Sequence, residues 1–511
     1  MGVCCSNNAP QHNRGRYPTI GEFVATSHLR GVIRENIREH YKFIKILGHG
    51  HFGTVREAIR LHQSTRQQKY AIKSIPISKI HSIDVLKNEL EILQQADHPN
   101  IIKLFQCYED SNYVHLVMEL CTGGDLLEDF LRKGVLDEET AAKWLEKICS
   151  AVTYLHNLHI CHRDIKPENF LLTTRLPDAE LKMIDFGLST KFSEDQKELH
   201  SVVGTPYYLA PEVINKNYGV ECDVWSIGIM MYLLLGGYVP FTGDNHHEVF
   251  DKILHEELVF RHERWELISN DAKDLLSQML TKSTTNRIKL PQVLKHSWFK
   301  RYRKNKLKSV PLNVIETLMK YHAPDKLRKY LMKLIIKNMS YNEIKELDEI
   351  FRALDTNKTG VVNAFDVVQA LKNAKQPKAV EKLEKLLERN KYLENGDFYY
   401  SDFIIATLDK KKVLNEDILK DVFYSLTNGT QATITPQDLY DNFLRSGIEV
   451  TQGEVDDMIN QFKAANKEFD YEAFQEIVMQ NSPLLDSPML PRRSLKKDSS
   501  DPRLNQYLPI Q

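Results

Sequence analysis

Charge imbalance is almost absent: 68 Lys and Arg stand against 69 Asp and Glu in 511 residues, a formal net charge of −1. Nothing in that balance draws the chain to a polyanion. No zinc-finger spacing or RNA-binding motif occurs either, so nucleic acid is not an expected partner. Cysteine is scarce, and the seven present are scattered without C-x-x-C spacing. That argues against a disulfide framework and for a reduced, intracellular protein. The longest apolar run, near Ile227–Leu235, stops at Gly236-Gly237. It is too short to span a bilayer and reads as a buried helix. No apolar run follows Met1, which excludes a secretory signal peptide. The length leaves room for two or three domains.

What is present is sharper. Residues 162–169 read H-R-D-I-K-P-E-N, an acid, a base and an amide at fixed offsets in one short loop. Phosphoryl transfer needs such a set: Asp164 to accept a hydroxyl proton, Lys166 to neutralise charge, Asn169 to hold a magnesium ion. D-F-G at 185–187 adds Asp185 as a second metal ligand. On these motifs the chain resembles the eukaryotic protein kinases, and Lys166 in H-R-D-x-K-P-x-N resembles their Ser/Thr branch.

The resemblance implies an α+β bilobal kinase domain over 41–299, with a β-rich small lobe (41–120) and a helical large lobe (121–299), using ATP and Mg2+. G-H-G-H-F-G-T-V at 48–55 lies between two strand-like runs, which favours a phosphate flap over a strand-to-helix dinucleotide turn. Gly48, Gly50 and Gly53 would admit phosphates to the backbone, with Leu47, Val55 and Ala71 around the base. Y-A-I-K at 70–73 supplies Lys73 for the α/β-phosphates. E-L-E-I-L at 89–93 offers two partners for it, of which Glu89 fits the family pattern better than Glu91. Met118 would back the adenine pocket, and Glu119 and Cys121 would offer it backbone hydrogen bonds.

In the large lobe, Thr205 would touch Asp164, Glu212 of A-P-E would pair with Arg287, and Asp223 would brace the catalytic loop. Arg163 could dock an activation-segment phosphate on Ser189, Thr190, Ser193, Ser201 or Thr205. Glu194, Asp195 and Glu198 could instead supply that charge permanently. Glu168 and Asp125 suggest protein substrates with basic residues near the target Ser or Thr.

Beyond the kinase motifs, Met1-Gly2-Val3-Cys4-Cys5-Ser6 fits N-myristoylation at Gly2, with Cys4 and Cys5 placed for palmitoylation. Two acyl signals predict the cytoplasmic face of a membrane, with a cytoplasmic pool. The rest of 1–40 reads as mostly disordered. Lys326–Lys337 is a basic amphipathic pattern with Leu327, Leu331, Leu334 and Ile335 on one face, the type that calmodulin-like lobes grasp. Its junction, 300–340, reads as an autoinhibitory segment that blocks the site until a sensor domain moves.

Four helix–loop–helix units can be laid over 341–480, and with the kinase motifs this arrangement resembles the calcium-dependent protein kinases, with an all-α EF-hand domain. Loop ligands are needed at positions 1, 3, 5, 7, 9 and 12, with Gly at 6. The loop at 355–366 meets this with Asp355, Asn357, Thr359, the Val361 carbonyl, Asn363 and Gly360, but closes on Asp366 instead of Glu. The second loop opens with Lys391 and has Leu393 at position 3. The third has Gly429, Gln431 and Ala432, and the fourth Phe462 and Ala464, where ligands or Gly belong. Calcium is therefore expected at the first loop alone. Ile350, Phe351, Phe365, Phe403, Phe423, Ile434, Phe443, Phe469 and Phe474 read as the core of the paired hands. The tail, 481–511, reads as disordered. The expected protein is a monomeric, membrane-tethered Ser/Thr kinase controlled by its EF-hand domain. The alternative is a calcium-insensitive kinase whose C-terminal domain is a structural or partner-binding module.

Overall fold

In the computed structural model, the described residues are 29, 31–49, 53–61, 68–80, 82–192, 199–303, 311, 314, 317–318, 325–373, 377, 380–381, 398–427, 433–463 and 468–479. Gly2, Cys4, Cys5, Gly50, Ser193, Glu194, Asp195, Glu198, Lys391, Leu393, Gly429, Gln431, Ala432 and Ala464 lie outside them, as does the tail.

Strands whose central members are buried along almost their whole length build the small lobe. Six strands, β1 (Val32–Ile33), β2 (Tyr41–His49), β3 (Thr54–Arg60), β4 (Lys69–Pro76), β5 (Leu104–Glu109) and β6 (Tyr113–Glu119), form one sheet in the order β1-β5-β6-β4-β3-β2. One face is sealed by Ile33, Ile37, Tyr41, Tyr70, Ile72 and Val117. The other packs on helix α1 (Ile83–Gln95), whose apolar stripe is Leu86, Leu90 and Leu93. Ser82 caps α1, its hydroxyl accepting the Val85 N–H. That hydroxyl satisfies a donor the helix start would otherwise leave orphaned.

The lobe begins earlier than expected. Val32 and Ile33 pair in parallel with Cys107 and Tyr108, and Leu29, Ile33 and Ile37 are buried. Part of the segment expected to be mostly disordered is thus an edge strand, held by apolar burial.

The large lobe is organised by α2 (Leu126–Lys133), α3 (Glu138–Asn157) and α4 (Glu221–Gly236). Nearly every residue of α4 is buried, as expected for a helix apolar on all sides. Gly237, with φ of 92°, ends it in the left-handed region. Among the described residues no helix is long and apolar enough to cross a membrane. Two short ladders frame the catalytic loop: β7 (Ile160–Cys161) with β10 (Thr190–Lys191), and β8 (Phe170–Leu172) with β9 (Leu181–Met183).

The C-terminal part has a separate core running from Val314 to Val478. Its loops associate in pairs. Val361 and Val362 pair with Tyr399 and Phe398, and the Ile434 N–H donates to the Phe469 carbonyl at 2.8 Å. The expected anchors are buried except Phe365, which is 64% exposed: it lies on the solvent face of its helix.

The junction helix is held by the C-terminal domain, as its basic amphipathic pattern suggests, and not in the expected blocking position. Helix α5 (Lys326–Asn338) does not lie over Asp164. Leu331, Met332 and Ile335 are at most 0% exposed, inside the C-terminal core. Lys329 and Lys333 pair with Asp402, and Lys326 with Glu454. Residues 326–339 therefore belong to the C-terminal domain. An amphipathic stripe needs an apolar partner, and four helices of that domain supply it.

This domain sits against the kinase through polar contacts away from the catalytic loop. Arg352 donates to Asn100 at 2.7 Å and pairs with Glu180 at 3.2 Å. The Ser401 hydroxyl donates to Asp97 at 2.6 Å, and Lys103 donates to the carbonyls of Ile336 and Met339.

Candidate active site

Strand pairing sets the nucleotide side. Register places Val55 opposite Lys73 and Ala71 opposite Met118. A β-carbon on Gly53 would lie 2.1 Å from the Ser74 carbonyl oxygen, so glycine is required there. A β-carbon on Gly48 would meet nothing within 4 Å. Leu47 is exposed. The Glu119 N–H is already committed to the Lys103 carbonyl at 3.0 Å, and its side chain pairs with Lys182. Burial pushes the Cys121 thiol up.

Lys73 donates to Glu89 at 3.1 Å, and both are largely shielded. Burial alone would lower the Lys73 ammonium, but the carboxylates of Glu89 and Asp185 outweigh it and hold its pKa above the usual value. Burial raises Asp185 in turn, and Lys73 with the Gly187 N–H more than reverses this, leaving it below the usual carboxylate range. Glu91 lies on another face of α1 and pairs with Lys191 at 3.3 Å. The Asn88 amide donates to the Ser189 carbonyl at 2.7 Å, a tie from α1 to the activation segment that no motif announces.

Around Asp164 the side chains close a ring. Lys166 Nζ is 2.7 Å from Asp164 Oδ2 and donates to the Thr205 hydroxyl at 2.9 Å. That hydroxyl donates to Asp164 Oδ1 at 2.9 Å. Asn169 Nδ2 donates to the Asp164 carbonyl at 2.7 Å and to Oδ2 at 3.0 Å. The Asn169 amide oxygen is thereby aimed away from the ring. Its main-chain carbonyl accepts the Ile184 N–H, next to Asp185, at 3.1 Å. A carboxylate kept ionised and an amide oxygen on adjoining segments suit a hard divalent cation such as Mg2+.

Asp223, 0% exposed, accepts the N–H groups of His162 and Arg163, both at 2.9 Å, and the His156 ring at 2.8 Å. Burial raises this carboxyl, but His156 and His162 bring it below its ordinary value. Arg163 has φ of 68°, a conformation that costs a non-glycine residue energy and persists when its surroundings impose it. Below the loop, Arg287 grips Glu212 with both guanidinium nitrogens, one at 2.9 Å.

Arg163 points at the activation segment, donating to the Leu188 carbonyl at 2.6 Å and to the Ser201 hydroxyl at 3.1 Å. Ser189 is buried and donates to the His162 carbonyl, Thr190 lies in β10, and Thr205 belongs to the ring. Of the described candidates, Ser201 alone meets the Arg163 guanidinium through its hydroxyl. Glu168 Oε2 is closed to solvent without a hydrogen-bond partner. Asp125 caps α2, accepting the Glu128 N–H at 2.7 Å. A capping carboxylate is partly spent, so the pair expected from sequence is unequal.

The loop at 355–366 is folded with both acids inward: Asp355 and Asp366 are 2% and 1% exposed. Asp355 accepts the N–H groups of Thr359 and Gly360, each at 2.9 Å. Asp366 accepts from Thr356, Asn357 and the Asn363 N–H. Thr359 donates to the Val361 carbonyl at 3.2 Å. Burial raises the Asp355 carboxyl, with Lys358 acting against it. Inward carboxylates and loop oxygens are a donor set that fits a cation, with few charges for a tight site.

Comparison with known proteins agrees with this geometry. A family model described as "Protein kinase domain" matches residues 41–299. Calcium-dependent protein kinase 5 of Plasmodium falciparum (isolate 3D7) is 36% identical over 438 residues, covering 84% of this chain and 76% of that protein. Calcium-dependent protein kinase 2 of Zea mays is 36% identical, covering 79% of each. Calcium-dependent protein kinase 12 of Arabidopsis thaliana is 34% identical over 86% of this chain and 90% of its own length. Each of these matches is longer than the kinase domain and extends beyond it. The chain is a serine/threonine protein kinase, and it belongs to the calcium-dependent protein kinase family.

Proposed function

We propose that this kinase is a monomer tethered to the cytoplasmic face of a membrane, with a cytoplasmic pool, that selects basic targets and is governed by calcium through its C-terminal domain. The observation that carries the catalytic reading is the Thr205 hydroxyl donating to Asp164 with Lys166 on its other side. An incoming Ser or Thr hydroxyl needs that same acceptor. Asp164 takes the hydroxyl proton as the new P–O bond forms, and Lys166 offsets charge on the transferring phosphoryl group. Lys73, fixed by Glu89, holds the α/β-phosphates. Gly48, Gly50 and Gly53 let backbone N–H groups approach them, and Leu47, Val55, Ala71, Met118, Glu119 and Cys121 enclose the base. Asn169 and Asp185 would hold Mg2+, which neutralises phosphate charge when bound.

Glu168 supports the basic preference, because an arriving guanidinium would satisfy its shielded, unpartnered oxygen. For calcium, the names of the relatives and the donor set of the first loop support the reading. Asp355, Asn357, Thr359, the Val361 carbonyl, Asn363 and Asp366 would hold the ion. With α5 taken up by the C-terminal core, an inhibited state in which that helix blocks the cleft would require it to leave the core. One observation favours the calcium-insensitive alternative: Asp366 is already satisfied by Thr356, Asn357 and Asn363, so the loop keeps its form without an ion. Gly2, Cys4 and Cys5 supply the two acyl signals of the membrane reading.

Asp164→Asn is expected to lower kcat on a Ser peptide by about 10^2–10^4-fold with ATP binding retained; an unchanged kcat removes Asp164 as the base. Glu168→Gln should reduce kcat/KM about tenfold or more for a peptide with upstream arginine, and leave one without it unaffected. Equal losses on both peptides would show a merely structural role. Calcium added after chelation should raise activity in the wild type and not in Asp355→Ala. Equal activity of the wild type in chelator and in calcium favours the structural alternative. Gly2→Ala, expressed in cells, should move the kinase from the membrane to the soluble fraction; retention on membranes would contradict acyl tethering.

A further inference from the structure

Two free cysteines that the phosphoryl-transfer chemistry does not use meet directly beneath the catalytic loop. Cys161 Sγ lies 3.6 Å from Cys222 Sγ, and both are buried. Cys161 immediately precedes the H-R-D sequence, and its strand pairs with the activation segment, Cys161 facing Thr190. Cys222 immediately precedes Asp223, the carboxylate that holds the His162 and Arg163 N–H groups. The pair therefore spans the two segments whose relative position aims Asp164.

We propose that Cys161 and Cys222 are an oxidation site, a dithiol that peroxides convert to an intramolecular disulfide which switches the kinase off. The sulfurs are already in van der Waals contact, and a disulfide requires about 2.05 Å. Closing that gap asks for rotation about both Cα–Cβ bonds and a small shift of the strand or the helix start. Metal binding is the weaker use of this cluster. Asp223 is the third potential ligand, but its oxygens are filled by His156 and the two backbone N–H groups.

The chemistry balances with a hydroperoxide as the oxidant. One thiolate attacks the peroxide O–O bond, which breaks; the sulfur becomes a sulfenic acid and the leaving oxygen departs as water or an alcohol. The second thiolate attacks that sulfur and expels hydroxide, and the two protons given up by the thiols convert the two leaving oxygens to two waters, or to one water and one alcohol. Two electrons pass from the sulfurs to the peroxide. In the closed arrangement both groups stay thiols: the hydrogen bond with Cys222 and burial raise Cys161, while the hydrogen bond with Cys161 lowers Cys222 and burial with the Asp223 charge more than reverses this. Oxidation thus proceeds through opening of the two-residue ladder between β7 and β10, which gates the site on mobility of the activation segment.

A shift of this kind under Asp164 is of the size that costs catalysis about 100-fold. The test uses the full-length kinase, reduced, assayed on a Ser peptide, treated with hydrogen peroxide, then assayed before and after dithiothreitol. Parallel samples are alkylated under denaturing conditions and mapped by mass spectrometry. The expected result is a peptide pair linked through Cys161 and Cys222, appearing in step with a roughly 100-fold loss of activity that dithiothreitol reverses. Cys222→Ala should keep its basal activity and resist peroxide. The proposal is overturned if both thiols remain alkylatable in peroxide-inactivated protein, if the linked pair forms without loss of activity, or if Cys222→Ala is inactivated equally. Should that variant fail to fold, the mapping and reversal on the wild type decide the matter alone.

Discussion

One buried carboxylate holds the catalytic loop in place. Asp223 sits with no solvent contact and receives two backbone N–H groups and a histidine ring. An isolated charge there would be untenable, since desolvation costs an unpaired ion several kcal/mol. These donors, with the Cys161 thiol at 3.6 Å as a fourth, make the burial tolerable and keep the acid ionised. In exchange the carboxylate fixes Arg163 at a positive φ, and that turn determines where Asp164 points. The hydrogen-bond ring of Asp164, Lys166, Asn169 and Thr205 is built on this one anchored turn.

The same logic runs through the nucleotide side. Lys73, Glu89 and Asp185 are each costly to bury alone, yet the two carboxylates hold Lys73 charged and Lys73 holds Asp185 charged. A lysine between two carboxylates leaves one net negative charge in the pocket, which a metal cation can balance. Moving α1 outward would break this arrangement at Glu89 and also the Asn88 contact to the activation segment. The helix therefore links two halves of the site that lie far apart in sequence.

Much of the site was legible because its chemistry demands residue types at short, fixed offsets. Asp164, Lys166, Asn169 and Asp185 could be named on that ground, and the family pattern that E-L-E-I-L fits from its first residue separated Glu89 from Glu91. Val32–Ile33 was not legible: a two-residue parallel strand carries no alternation, and its stability comes from the sheet it joins. Phe365 was misplaced because a phenylalanine near an EF-hand loop is usually core, and exposure depends on a helix face that one residue cannot reveal. The helix α5 was recognisable as amphipathic, but an apolar stripe does not say whether a cleft or a four-helix core receives it. That choice belongs to tertiary packing.

The way α5 is received also bears on how firmly the two domains hold together. Lys337 has its ammonium nitrogen shut off from solvent without a hydrogen-bond partner, and Lys103 lies close to it across the interface. Burial first, then Lys103, lowers the Lys337 pKa to about 8, and burial brings Lys103 to about 8 as well. A lysine whose pKa falls on docking favours the docked state fully only above its free value of 10.5. That support is lost as pH drops through 8, so near neutral pH the docked form carries most of the penalty. The Arg352, Ser401 and Lys103 contacts must outweigh it. The interface thus places an opposing charge term beside its favourable contacts.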